Sequence, residues 1–225
     1  MEDISMIALD WDDVVTRGAK DGYFACFRKT LKYLGVTMDW QEAQQRIMAK
    51  WGGSIFEECK ELLKDHPYLV AQAVDYYVTL LNSETYLGTL SVIPGVQQSL
   101  EELNRRYTLC VVSGASRSLI QQKIMPRFNI PNVFARILSS GDFAEPVKQK
   151  PNPYMLELLL QEYGLKPWQA LYVGDATGDV QMAQAAGVQP VVVLTGHLTK
   201  QEAQELGVEL IIPDITHLPG VLHSF

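Results

Sequence analysis

The sequence predicts an α/β fold in which a doubly wound parallel sheet forms the core and a helical domain is inserted after the first strand. Short apolar runs alternate with longer amphipathic stretches, and this alternation is typical of parallel strands that are covered by helices. Residues 17–90 contain long amphipathic stretches and no clear strand. The chain of 225 residues is long enough for both parts. We therefore expect residues 1–16 and 91–225 to form the core domain and residues 17–90 to form a helical cap domain.

Five short apolar runs are the predicted strands of the sheet. Each run is followed by a polar residue or a glycine, and such a boundary marks the end of a buried strand. The runs are residues 4–9, 108–112, 170–173, 191–194 and 211–212. Because the functional side chains of parallel sheets lie beyond the carboxyl ends of the strands, the residues that follow these runs are candidates for a site.

The segments between the strands carry helix start and stop signals. Asn or Thr before an apolar stretch favours a helix start, and a glycine after it favours a helix end. Asn152 is the predicted N-cap residue of one helix, and Thr199 with Glu202 has the spacing of a capping box. The predicted helices are residues 94–106, a helix from Asn152 that stops at Gly164, residues 179–186 with a stop at Gly187, and a helix that begins at 199.

The composition excludes several classes of partner. The formal net charge is −7, and an acidic surface repels nucleic acids and anionic membranes. No apolar run approaches the roughly 20 residues of a membrane helix, and the acidic start does not resemble a signal peptide. Cys26, Cys59 and Cys110 form no zinc or disulfide spacing. We expect a cytoplasmic monomer or homodimer that binds neither nucleic acid nor membranes.

Four polar groups follow the predicted strands or stand between them. Each group alone is a weak signal, but their order along the chain is informative. Four carboxylates near one lysine would repel one another and raise their own pKa values. A hard divalent cation relieves this repulsion, and a site with only oxygen ligands suits Mg²⁺. The groups are Asp10 with Asp12, Ser113 with Gly114, Lys150, and Asp175 with Asp179.

In this order, the four groups resemble the motifs of the haloacid dehalogenase-like hydrolases, in the branch whose helical cap is inserted after the first strand. Phosphoglycolate phosphatases and β-phosphoglucomutases belong to that branch. The resemblance covers nearly the whole chain and is strongest at residues 150–154 and 173–187. It implies a Rossmann-like core and Mg²⁺-dependent phosphoryl transfer from a small phosphorylated metabolite.

The resemblance implies that Asp10 is the nucleophile, which forms an aspartyl-phosphate. It implies that Asp12 is the general acid and base, which protonates the leaving alkoxide and then activates water. Asp12 also favours phosphoester chemistry over dehalogenation, because a halide leaving group needs no proton. Phosphonatases of the family lack an acid at this position as well and use a cap lysine, so the presence of Asp12 argues against that activity.

A metal site and a phosphate site are also implied by the resemblance. Mg²⁺ would bind the carboxylates of Asp10 and Asp175 and the backbone carbonyl of Asp12. Asp179 would bind the ion through water or orient its other ligands.

The phosphoryl group has its own set of binding residues in the family pattern. Ser113 and the backbone amide of Gly114 would hold its oxygens. Lys150 would neutralise charge on the nucleophile and on the transferred group.

Two residues of the first motif depart from the family pattern, which continues with Gly and Thr. Here Asp13 and Val14 occupy these positions. Asp tolerates left-handed backbone geometry better than most residues, so Asp13 can replace Gly in a turn. Val14 keeps the shape of Thr without its hydroxyl, at a cost of roughly 1 kcal/mol for the lost hydrogen bond.

The most distinctive segment of the predicted cap is Lys50-Trp51-Gly52-Gly53-Ser54. A loop at this place closes over the active site in related capped enzymes, so Lys50, Trp51 and Ser54 are candidates for contacts with the leaving group. The alternative is a helix–helix turn in which Trp51 packs inside the cap.

The sequence favours a phosphatase but leaves other functions open. A phosphomutase would share every motif of the core and differ only in the acceptor of the phosphoryl group. A binding protein without catalysis is the alternative that Asp13 and Val14 suggest. A phosphoacceptor signalling domain collects similar residues, but the acidic group at residues 175–179 and the long insertion argue against it.

Overall fold

The structure, a computed structural model, describes residues 4–51, 54–143, 145 and 148–223. It divides into two compact units. The core unit comprises Met1–Arg17 and Ser91–Phe225, and the cap unit is Gly18–Leu90. No helix in the described part of the chain is long and apolar enough to cross a membrane.

The strands of the core unit form one large parallel sheet and one small antiparallel pair. The strands are β1 (Met6–Leu9), β2 (Thr16–Arg17), β3 (Ser91–Val92), β4 (Thr108–Ser113), β5 (Phe134–Ser139), β6 (Ala170–Gly174), β7 (Gln189–Val193) and β8 (Leu210–Ile212). The large sheet has the order β5-β4-β1-β6-β7-β8, and all of its pairs are parallel. β2 and β3 form the antiparallel pair. The predicted α/β class is confirmed.

Helices account for most of the remaining described residues. The cap unit contains α1 (Ala19–Tyr33), α2 (Trp40–Met48), α3 (Ile55–Leu62), α4 (Val70–Leu81) and α5 (Glu84–Leu87). The core unit contains α6 (Val96–Asn104), α7 (Arg117–Leu119), a π-helical segment (Ile120–Ile124), α8 (Met125–Arg127), α9 (Tyr154–Tyr163), α10 (Thr177–Ala185), α11 (Lys200–Glu205) and α12 (Leu218–His223).

β1 lies inside the sheet, where its four apolar residues are fully buried. The register places Leu9 beside Val111 of β4 and Val173 of β6. The three strands therefore end at nearly the same level. Residues that directly follow them meet at one edge of the sheet, as expected for a parallel α/β fold.

Buried side chains join the helices of the core unit to the sheet. One cluster packs Met155 of α9 and Met182 of α10 with Met6 and Tyr172 of the strands. The buried residues of α9 recur at helical spacing along one face (Met155, Leu156, Leu159 and Leu160), and this face packs toward the sheet. Packing of α10 fixes the helix start that carries Asp179 in its first turn.

The cap unit has a separate aromatic core. Phe27 of α1 and Tyr77 of α4 are fully buried, and their ring centroids lie 4.3 Å apart. Two of the free cysteines, Cys26 and Cys59, are buried in this unit. Apolar burial thus stabilises the unit without a disulfide among its described residues.

Two local expectations from the sequence need correction. The edge strand β5 was not predicted, because only the second half of Phe134–Ser139 is buried and its apolar run is interrupted by an arginine. Asn152 is not the N-cap residue, since α9 begins one residue later than expected and Pro153 precedes it. The Asn152 side chain still accepts a hydrogen bond from the Tyr154 N–H at 3.0 Å.

Candidate active site

Asp10 directly follows β1 at the edge of the sheet. Its N–H donates to the Val173 carbonyl at 2.8 Å, which continues the pairing of β1 with β6. Its Oδ1 accepts the N–H of Trp11 at 2.7 Å. These two bonds fix both the backbone and one carboxylate oxygen of Asp10.

Lys150 lies between two of the carboxylates. Its Nζ is 3.0 Å from Asp10 Oδ2 and 2.5 Å from Asp179 Oδ1. Burial alone would lower the pKa of Lys150, but Asp10 and Asp179 outweigh this effect and raise it. The lysine therefore stays charged at neutral pH and neutralises part of the cluster.

Asp179 is held by the first turn of α10. Its Oδ2 accepts the N–H groups of Asp175 and Ala176, both at 3.1 Å, and a carboxylate at a helix N-terminus is stabilised by these donors. The close approach of the Asp179 side chain to the end of β6 requires glycine at 174, because a Cβ there would lie 2.3 Å from the Cβ of Asp179. The absence of a side chain at Gly174 is thus explained by the position of Asp179.

The carboxylates of Asp10, Asp175 and Asp179 converge on one point. One oxygen of each lies within 4.8 Å of the others. Burial, and then the charges of Asp179 and Asp12, raise the pKa of Asp10 from its ordinary 3.8 to about 6, although Lys150 opposes this shift. Burial, Asp179 and Asp10 raise the pKa of Asp175 well above its usual range. Burial is the first cause of both shifts and the neighbouring carboxylates add to it, and an oxygen-only donor set of this kind could hold a divalent cation.

Ser113 and Gly114 lie at the end of β4, on the same edge of the sheet. Ser113 is 1% exposed, and its Oγ accepts the N–H of Ala115 at 3.2 Å. This bond fixes the hydroxyl as an acceptor and leaves its proton for an outside oxygen. Gly114 is exposed, so its amide can be reached by a ligand.

The first motif continues as a tight turn after Asp10. The N–H of Val15 donates to the Trp11 carbonyl at 2.9 Å. Asp12 is half-buried. Asp13 has φ 56°, so it adopts the left-handed conformation expected for the residue that replaces Gly. Val14 is fully buried.

Sequence reasoning missed Tyr172 of β6. Its hydroxyl lies 3.1 Å from Asp179 Oδ1 and 2.9 Å from the Val112 carbonyl oxygen, and its single proton can serve one of them at a time. Burial, followed by the charges of Asp179 and Asp10, raises the pKa of Tyr172 well above its usual range, so it stays a neutral donor. An apolar strand that contains one tyrosine carries no signal for this contact.

The loop after β7 was also missed. His197 shows no metal spacing in the sequence, yet its ring lies within 4.8 Å of carboxylate oxygens of Asp13 and Asp175. The backbone N–H of His197 donates to Asp175 Oδ2 at 3.0 Å. The Thr195 hydroxyl donates to the carbonyl of Asp13. The only sequence signal for this loop was a Thr-Gly pair at a strand end.

The candidate substrate residues of the cap have structural contacts of their own. The ring of Trp51 lies 5.9 Å from that of Tyr23 and 5.4 Å from that of Phe24, so it packs inside the cap unit. Ser54 is the N-cap of α3 and accepts the Glu57 N–H, while Lys50 is exposed. Gly52 and Gly53 lie outside the described residues. A substrate role for this segment stays a prediction.

Comparison with known proteins places the chain in a family. A family model described as haloacid dehalogenase-like hydrolase matches residues 9–193, a range that includes the four groups predicted from the sequence and excludes the loop after β7. The chain belongs to the haloacid dehalogenase-like hydrolase family. The resemblance inferred from the four motifs is thereby confirmed.

Two relatives in sequence are named phosphoglycolate phosphatase. The enzyme of Aquifex aeolicus is 28% identical over 214 residues, which are 94% of this chain and 91% of that protein. The enzyme of Aliivibrio fischeri is 29% identical over 130 residues, or 57% of this chain. That second alignment spans only 56% of the Aliivibrio protein.

A solved structure of the family shows the same fold. The haloacid dehalogenase-like family protein of Streptococcus pneumoniae superposes with a TM-score of 0.80. The match covers 99% of this chain and 100% of that one at 20% identity. At this identity the likeness concerns the fold alone.

Proposed function

We propose that this protein is a Mg²⁺-dependent phosphatase that hydrolyses a small phosphorylated metabolite through an aspartyl-phosphate on Asp10. The observation that carries the proposal is the contact of Asp10 Oδ2 with Lys150 at 3.0 Å, beside carboxylates of Asp175 and Asp179 within 4.8 Å. A nucleophile, a fixed cation and a cation-binding cluster then share one edge of the sheet. The relatives named phosphoglycolate phosphatase support a substrate of the phosphoglycolate or sugar phosphate type.

The donor set assigns the residues that would hold Mg²⁺. Asp10, Asp175 and the backbone carbonyl of Asp12 are the direct ligands in this proposal. Asp179 already accepts two backbone N–H groups and contacts Lys150, which supports an indirect role through water. When bound, Mg²⁺ supplies positive charge that offsets the carboxylates and the phosphoryl oxygens.

In the first step, a carboxylate oxygen of Asp10 attacks phosphorus opposite the ester oxygen. A P–O bond to Asp10 forms while the P–O bond to the substrate breaks. The protonated Asp12 gives its proton to the leaving alkoxide, which departs as an alcohol. Asp12 is half-buried and two residues beyond the nucleophile, so both groups can face the same substrate.

In the second step, water replaces the alcohol. The Asp12 carboxylate accepts a proton from the water, whose oxygen attacks phosphorus and breaks the bond to Asp10. Inorganic phosphate leaves, Asp10 is restored as a carboxylate, and Asp12 is protonated for the next cycle. The same residue thus acts as acid and then as base.

The remaining residues bind the charge that moves during both steps. The Ser113 hydroxyl and the Gly114 amide donate to phosphoryl oxygens, and Lys150 contacts both the nucleophile and the transferred group. Because charge on these oxygens dominates phosphoryl transfer, fixed hydrogen-bond donors contribute more to the rate than additional covalent chemistry would.

Phosphate release from a panel of phosphorylated metabolites tests this proposal. Wild type and Asp10→Asn are compared with and without Mg²⁺, and Asp75→Asn on the exposed face of α4 is the matched control. We expect Mg²⁺-dependent release that disappears in Asp10→Asn and persists in Asp75→Asn. Isomerisation of a sugar phosphate instead of hydrolysis would make the protein a mutase. Mg²⁺ binding without any turnover would make it a binding protein.

A further inference from the structure

The loop Thr195–Leu198 contacts two parts of the candidate site at once. We propose that this loop is a positioning element for Asp175, and that Gly196 and Thr195 control the affinity for Mg²⁺ without touching the ion. The inference rests on the proposed function, since it takes Asp175 as a metal ligand. It adds residues that none of the four motifs contains.

Two main-chain donors of the loop hold Asp175. The N–H of His197 donates to Asp175 Oδ2 at 3.0 Å, and the N–H of Leu198 donates to the Asp175 carbonyl at 2.9 Å. One bond fixes the carboxylate and the other fixes the backbone of the same residue. Together they leave Asp175 little freedom to rotate, which is the condition for a preorganised metal ligand.

Gly196 allows this approach because it has no side chain. A Cβ at this position would lie 1.9 Å from Asp175 Oδ2 and 2.4 Å from its Cγ. Distances this short exclude any other residue unless the loop or the carboxylate moves. The clash concerns the oxygen that the His197 amide holds, so an alanine would act directly on the metal ligand.

The loop is anchored at both ends and cannot easily withdraw. At its start, the Leu194 N–H donates toward the carbonyl oxygens of Ile212 and Pro213 at 3.1 and 3.2 Å. At its end, Leu198 is 7% exposed in a cluster with Val180 of α10 and with residues of β7 and α11. We therefore expect an alanine at 196 to displace the Asp175 carboxylate instead of the loop.

Thr195 joins the same loop to the first motif. Its hydroxyl donates to the carbonyl of Asp13, and the side chain of Asp13 lies near Asp175 and His197. The turn that follows the nucleophile and the ligand that follows β6 are thus fixed by one segment. Loss of the Thr195 hydroxyl would loosen the turn that carries the Asp12 carbonyl.

Isothermal titration of the 225-residue protein with Mg²⁺ tests the inference without any substrate. We compare wild type, Gly196→Ala and Thr195→Val. Gly220→Ala is the matched control, because a Cβ at Gly220 meets no atom within 4 Å. Gly196→Ala is expected to raise the Kd for Mg²⁺ about tenfold and Thr195→Val at least about threefold, whereas Gly220→Ala leaves it unchanged. Steady-state assays should show the same rise in the Mg²⁺ requirement, with little change in the KM for substrate.

Circular dichroism and thermal melting in chelator separate this effect from misfolding. A folded Gly196→Ala protein whose Kd rises by less than about threefold overturns the inference. If Gly196→Ala does not fold, Thr195→Val decides by the same criterion. A folded wild type that binds no Mg²⁺ contradicts the proposed function itself and with it this inference. Normal binding by wild type and both variants contradicts the inference alone.

Discussion

Replacing Asp10, the proposed nucleophile, should stabilise the metal-free protein at neutral pH. The pKa of Asp10 is raised from 3.8 to about 6, first by burial and then by Asp179 and Asp12. One pKa unit corresponds to 1.36 kcal/mol, so ionisation of Asp10 in the folded protein costs about 3 kcal/mol. The Asp10 side chain is only 14% exposed, and solvent therefore screens little of this cost. The asparagine in Asp10→Asn carries no charge, so the variant avoids this cost of ionisation.

The sign of the pH dependence follows from proton binding. Between roughly pH 4 and pH 6 the folded protein keeps a proton on Asp10 that the unfolded chain has released, so wild-type stability falls as the pH rises through this window. Above roughly pH 7 both the folded and the unfolded state have released the proton, and the stability falls no further from this cause. The advantage of Asp10→Asn should therefore grow by about 3 kcal/mol from acidic to neutral pH, or about 6–12 °C in Tm for a domain of this size.

Urea unfolding in chelator, repeated from acidic to neutral pH, measures this difference. Asp75→Asn should follow the wild type at every pH, because Asp75 is exposed. Added Mg²⁺ should reverse the order at neutral pH, since the ion favours the ionised form of Asp10 and binds the asparagine variant less well. A difference between wild type and Asp10→Asn that stays constant across the pH range refutes the reasoning.

Three further substitutions test other contacts of the site. Lys150→Met should reduce kcat by about 10²-fold or more in kinetic measurements. It should also destabilise the metal-free protein by about 3–5 kcal/mol in urea unfolding. The control Lys123→Met, at an exposed position, should change neither quantity. Tyr172→Phe should weaken Mg²⁺ binding up to about tenfold, because Asp179 loses a donor, and an unchanged titration would contradict this role. Gly174→Ala should destabilise the protein by about 1–3 kcal/mol in urea unfolding through the clash with Asp179, and wild-type stability would show that the clash is relieved.

Much of the fold could be predicted because the local signals agree with it. The strand that precedes Asp10 is an uninterrupted apolar run and is buried in the middle of the sheet. Thr199 and Glu202 form the reciprocal capping bonds that their spacing indicates. β5 lacks such a signal, since only its last three residues are buried at the edge of the sheet. Edge strands need less apolar surface, and the alternation that identifies inner strands is correspondingly weaker.

The sequence predicted the strand-end acids but not the residues that hold them. Asp10 and Asp175 could be found because each follows a buried apolar run, and ligands bind beyond the carboxyl ends of parallel strands. Tyr172 reaches Asp179 from the preceding strand and His197 reaches Asp175 from the loop after the next strand, and no local sequence pattern marks either contact. The Asp175 carboxylate meets the His197 N–H across 22 positions, and a backbone donor has no signature in the side-chain sequence.

The departure at Asp13 and Val14 can be understood from the loop that follows β7. Glycine in the family pattern provides the left-handed turn, and Asp13 adopts that turn with φ 56°. Threonine in the pattern provides a hydroxyl, which the buried Val14 lacks. The turn still receives a side-chain donor, because the Thr195 hydroxyl reaches the Asp13 carbonyl from another segment. If this contact replaces the missing one, Val14→Thr should restore much of the activity that Thr195→Val loses, because the turn regains a hydroxyl donor. No rescue in the double variant would show that the two hydroxyls are not interchangeable.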